Sequence, residues 1–149
     1  MIDPQGDLVE HLRTDADLED VIATFSLPGL TGRAVFRSEA PEAFRAGTLP
    51  YIIVDAAQEG PRSLGSFSSR SPMIDVPVRV FAPMSDDGDA DLSAAAFAVR
   101  RLILQERLTL VGATLNDVDC GFPEETPTSG PSIGGRRLVV RMLITEAAG

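Results

Sequence analysis

The chain has 149 residues, 44% of them apolar, and a formal net charge of -9 from 22 acids against 13 bases, all of the bases arginine. Such an acidic chain argues against gripping nucleic acid or anionic lipid, because phosphate binding depends on clustered cations that release counterions. A single cysteine, Cys120, excludes an internal disulfide and any Cys-based zinc cluster, and no apolar run approaches the roughly 18 residues that cross a bilayer.

A length of 149 residues suits one domain, spanning 1–149, which buries roughly 70% of the surface exposed by the unfolded chain. The first 21 residues are acidic and amphipathic, without the basic and apolar regions of a secretory signal, so the expectation is a soluble protein made in the cytoplasm.

From residue 7 to 25, Leu8, Leu12, Leu18, Val21, Ile22 and Phe25 recur at spacings of three and four, with a break at 14–17. This predicts a helix with a restart there, capped by Asp15 or Thr14. The segment 26–32, with one Pro and two Gly, is a loop. Ala34, Val35 and Phe36 make a short strand, and Tyr51 to Val54 form a buried one. Residues 73–82 alternate, with Ile74, Val76, Val78 and Val80 on one face and Asp75, Pro77, Arg79 and Phe81 on the other. Pro77 has no ladder donor, which predicts an edge strand or a bulge.

After the acidic stretch 86–91 the spacing predicts a helix over 92–108, with Ala95, Val99, Leu102 and Ile103 as its apolar stripe. Residues 112–122 read as a weak strand whose inward positions are Leu115, Val118 and Cys120. The last strand, 138–144, turns Leu138, Val140, Met142 and Ile144 to one side. The order α-β-β-β-α-β-β gives an α+β fold, with two helices on one face of a mainly antiparallel sheet.

Chemistry is scarce in this sequence. The sole histidine, His11, lies on the first helix with no partner nearby in sequence, and reads as structural or solvent-exposed. Cys120 lies in an apolar, acid-flanked run that disfavours a thiolate, so it reads as buried and inert. Four carboxylates, Asp86, Asp87, Asp89 and Asp91, fall within six residues and could suit a hard cation such as calcium. The EF-hand Gly and Glu are missing, however, and acids before a helix are explained by its free N–H groups and positive end. Asp15, Asp17, Glu19 and Asp20 read as a solvated face. There is no phosphate-cradling glycine motif, and the reading is of a protein that is not an enzyme and uses no cofactor or metal.

Two loops are long for a compact domain, at about 57–71 and 123–135. Both are rich in Gly, Ser and Pro, with Arg62 and Arg70 in the first and Arg136 and Arg137 just after the second. In a monomer such arms are an entropic burden, whereas in an oligomer they can order against a neighbour whose carboxylates the arginines reach. Two disordered insertions are the alternative.

The pattern "LRTDADLEDVIA", the Pro-led strand "LPYIIV", the long loop, the alternating strand, the helix "AAFAVRRLILQERL" and two closing strands resemble the tail terminator (tail-completion) proteins of long-tailed bacteriophages and phage-like gene transfer agents. The resemblance covers nearly the whole chain, although the two long loops make it longer than many members. It implies a small virion subunit forming a hexameric ring on the tail tube, stopping tube polymerisation and giving a docking surface to the neck or head-completion protein. Its location would be the neck region of the tail, after assembly in the host cytoplasm. DNA would pass through the ring without specific binding, and no membrane is involved.

On this expectation Arg62, Phe67, Arg70, Pro77, Arg136 and Arg137 are interface candidates. Asp86, Asp87, Asp89, Asp91, Glu124 and Glu125 are candidates for an acidic lumen that repels phosphate. Two alternatives remain: a head-tail joining (neck) ring protein, and a small acidic, calcium-dependent binding domain.

Overall fold

A computed structural model describes residues 2–14, 34–40, 51–59, 73–83, 88–105, 108–126, 128 and 133–146. The elements in chain order are α1 (Pro4–Thr14), β1 (Val35–Arg37), β2 (Tyr51–Val54), β3 (Gln58–Glu59), β4 (Met73–Pro83), α2 (Gly88–Gln105), β5 (Ala113–Cys120), β6 (Glu124–Glu125) and β7 (Ile133–Glu146). The five main strands and both helices follow the expected order, and β3 and β6 add two short ladders. The sheet runs β1-β2-β4-β7-β5, with β3 on β4 and β6 on β7. Among the described residues the β1–β2 pair is parallel and the other pairs are antiparallel.

Helix α1 begins earlier than the apolar spacing predicts. Asp3 caps it, its Oδ1 accepting the Gly6 amide at 3.1 Å, and Pro4 occupies the first helical position, where its missing N–H costs nothing. The Asp3 carboxyl is held below its ordinary range by Arg37 and by that amide. Leu8, Val9 and Leu12 then face the core, while the second half of the expected helix lies outside the described residues. A buried Gln5 fastens this helix to the sheet: its Nε2 donates to Ser38 Oγ at 2.8 Å and to the Val54 carbonyl at 2.9 Å.

Both helices lie on the same face of the sheet. Leu8 and Leu12 from α1 and Leu92, Val99 and Ile103 from α2 join Ile52, Val54, Val76, Val78, Val80, Leu138, Val140, Met142 and Ile144 in one core. Every strand position in that set was expected on one face from alternation, or within the buried β2 run. The opposite face carries a smaller cluster of Ala34, Phe36, Ala40, Tyr51, Ile53, Phe81 and Ile133. There Tyr51 stacks on its cross-strand partner Phe81 with centroids 5.0 Å apart.

The expectation for Pro77 is overturned. Strand β4 is central, between β2 with β3 on one side and β7 on the other, and it carries no bulge. The Asp55 amide donates to the Pro77 carbonyl at 2.8 Å, so the Pro77 nitrogen also points toward the β2 side. Regular β2 pairing ends at Val54↔Val78 and β3 pairing begins at Gln58↔Asp75, which leaves Pro77 in the gap between them. Toward β7, Pro77 faces Val139 at a position that needs no donor. A proline is thus accommodated in an inner strand because one flanking ladder is interrupted at its position.

The bulge falls instead in β5, between Leu115 and Asp117. It explains why the inward positions Leu115 and Val118 are three apart: one extra residue shifts the alternation, so both, with Cys120, stand opposite the core residues Ile144, Met142 and Val140. The loop expected over 123–135 is shorter than its composition implied. Glu124 and Glu125 pair with Arg137 and Arg136, and β7 starts at Ile133.

Candidate interaction surface

The two edges of the sheet are finished differently. At β1 the outward carbonyl of Val35 accepts the Arg13 Nε at 2.9 Å, and α1 packs alongside. That edge is covered by its own chain. At β5 the local acids serve instead: Asp117 Oδ1 accepts the Val118 amide at 3.0 Å, and Asp119 Oδ1 accepts the Cys120 amide at 2.8 Å. The Cys120 carbonyl takes the Arg100 Nε at 3.1 Å. The Val118 and Cys120 amides are therefore occupied, while the Asp117 and Asp119 side chains stay exposed.

Beside this edge runs an apolar strip. The Arg100 guanidinium lies over the Phe122 ring at 4.2 Å from its centroid, and Phe97 meets Phe122 edge-on at 6.4 Å. Phe122 is 68% exposed, Phe97 40% and Leu104 39%. Further along, a groove of about 300 Å3 opens between the end of α2 and β5, with Leu104, Leu108, Leu115 and Val118 as apolar lining and Gln105, Asn116 and Asp117 at its polar positions. Large apolar side chains clustered beside an edge strand mark an interaction surface more often than scattered ones do.

The helix-free face of the sheet is charged but internally matched. Arg79 makes two bonds to Asp55, at 2.7 and 2.8 Å, and its guanidinium lies 5.5 Å from the Phe81 centroid. Arg141 makes two to Asp75, at 2.9 and 3.2 Å, and stands opposite Asp119 on β5. Each arginine of this ladder has a carboxylate beside it, so the face presents alternating sign rather than a basic patch.

Among the residues expected to function, Glu124 and Glu125 stand directly opposite Arg137 and Arg136 in the β6–β7 hairpin. The glutamates are exposed and the arginines half-buried, with Arg136 Nη1 donating to the Gly135 carbonyl at 3.0 Å. Pro77 is buried within the sheet. Asp89 and Asp91 fall within the first turn of α2. Arg62, Phe67, Arg70, Asp86 and Asp87 lie outside the described residues. His11 is half-buried on α1, and Cys120 is buried with its thiol pushed up to about 11, first by burial, with Arg100 opposing and Asp119 adding to the rise.

Sequence reading missed Phe97, Leu104 and Phe122. A signal existed for Phe97: it lies off the stripe of Ala95, Val99, Leu102 and Ile103, and a large aromatic on the wrong side of an amphipathic helix needs a partner.

No family model and no curated protein sequence matches this chain. Among solved structures, it is similar to a chain from the virion of a native gene transfer agent particle, with a TM-score of 0.67, 22% sequence identity, and 97% of this chain and 96% of that chain covered. The two chains share a fold from end to end.

Proposed function

We propose that this protein is a non-enzymatic structural subunit of a phage-like virion: a tail terminator that forms a hexameric ring on the tail tube, stops tube growth and offers its upper surface to the neck or head-completion protein. The observation that carries this reading is the end-to-end likeness to a chain of a gene transfer agent virion, in which neither chain leaves a domain unmatched. The strip of Phe97, Leu104 and Phe122 supports it, because exposed apolar surface on an otherwise acidic chain is explained if neighbours cover it. The charge of -9 supports passage of DNA without adhesion.

Within this reading the acidic stretch 86–91 is the stronger candidate for the lumen. Glu124 and Glu125 face Arg137 and Arg136 across the hairpin, which weakens their field. Arg62, Phe67 and Arg70 are placed at the subunit interface, where Arg62→Glu or Arg70→Glu lowers the sedimentation coefficient of the assembled species. The decisive experiment is electron microscopy of the protein mixed with its cognate tail tube subunits. Tubes capped at a uniform length are expected; tubes that keep growing, with the protein unattached, would overturn the proposal.

A further inference from the structure

We infer that the groove between α2 and β5 receives the segment 60–72 of a neighbouring copy, so that each subunit of the ring is held by the arm of the next. This rests on the ring reading above and adds the contact that closes it. The groove offers an apolar lining of Leu104, Leu108, Leu115 and Val118, with the exposed Asp117 among its polar positions. Asp117 uses Oδ1 on its own strand's amide, leaving Oδ2 to accept from a cation. The segment "GPRSLGSFSSRSP" is complementary: Leu64 and Phe67 lie between Arg62 and Arg70, and it contains no acid.

The lengths agree. The 13 residues 60–72 are rooted where Glu59 and Ile74 are paired, and folded back on themselves they reach roughly 20 Å from the sheet. The root lies on the β2 side of β4, while the groove lies beyond β7 at the far edge. Root and groove are different surfaces, so the contact is head-to-tail, the kind of contact from which closed rings are built when its rotation closes. Docking is through side chains rather than by an added strand, since the Val118 and Cys120 amides and the Cys120 carbonyl already have partners.

The test uses two full-length variants, Ser68→Cys and Gln105→Cys, with the buried Cys120 kept in both. They are mixed in equal amounts, treated with a short bismaleimide, and the products separated on a denaturing gel and mapped by mass spectrometry. The expected result is a 68–105 link between two chains whose yield falls at least tenfold when Arg62→Glu and Arg70→Glu are added to the Ser68→Cys chain. With both cysteines in one chain, a link found only within that chain would overturn the inference in favour of self-docking. Sedimentation velocity on the same samples separates the two failures. A ring species without the 68–105 link refutes the docked arm and leaves the ring; absence of any ring species, alone or with tail tubes, refutes both.

Discussion

Replacing Phe122 by alanine should separate assembly from folding. The side chain is 68% exposed, so only about a third of the roughly 200 Å2 that a phenylalanine can bury is buried within the single chain. At about 25 cal/mol per Å2 that part is worth about 1.5 kcal/mol, an upper estimate because an unfolded chain already buries some of it. The stacked Arg100 adds about 0.5 to 1 kcal/mol. A destabilisation of about 1.5 to 2.5 kcal/mol lowers the melting temperature of a chain this size by roughly 3–10 °C. If a neighbour covers the exposed remainder, assembly loses about 3 kcal/mol per contact, a factor of more than a hundred in the association constant. Thermal unfolding in dilute solution measures the first quantity, and a concentration series in sedimentation velocity measures the second. An unchanged association constant alongside the expected drop in melting temperature would show that this aromatic strip faces solvent in the assembled particle.

Three further outcomes follow from the fold. Asp55→Ala leaves the partly buried Arg79 without its two charged acceptors and should cost about 2 kcal/mol in urea unfolding, with Asp55→Asn costing less; a change below about 0.5 kcal/mol, as for a surface pair, would mean the pair behaves as solvated. Pro77→Val supplies an amide facing the Asp55 backbone, and the gain of a hydrogen bond offsets the lost restraint on the unfolded chain, so stability should stay within about 1 kcal/mol of wild type. A loss beyond about 3 kcal/mol would mean the gap beside β4 cannot accept a donor. The Cys120 thiol, raised from 9.0 to about 11, stays protonated in the folded chain while it ionises in the unfolded one, so its contribution to stability falls as pH rises between those values. Native protein at pH 8 should react with a thiol reagent only as fast as it unfolds, and labelling at the rate of a free thiol would refute that burial.

Hydropathy alone carried far in this chain because most of its strands bury one face. The alternation in 73–82 and 138–144 assigned Val76, Val78 and Val80 of β4 and Leu138, Val140, Met142 and Ile144 of β7 to the core, since a period of two leaves no second way to bury them together. The stripe on α2 was legible for the same reason, at a period of 3.6. The burial of Cys120 was also legible from its apolar neighbours in sequence. The start of α1 at Pro4 was less visible, because its cap, Asp3, sits among residues with no apolar period.

What the amino-acid order determined, then, is which residues turn inward, because burial of apolar surface imposes its period locally. What only the tertiary structure decided is who stands beside whom. Pro77 lies in an inner strand because β2 and β3 happen to leave a gap there. Glu124 and Glu125 lie opposite Arg137 and Arg136 because a hairpin folds back in that register. Phe97, Arg100 and Phe122 form one surface because α2 crosses the sheet next to β5. Such juxtapositions depend on strand order and register, which are chosen by the free energy of the whole sheet and leave no periodic trace in any single segment.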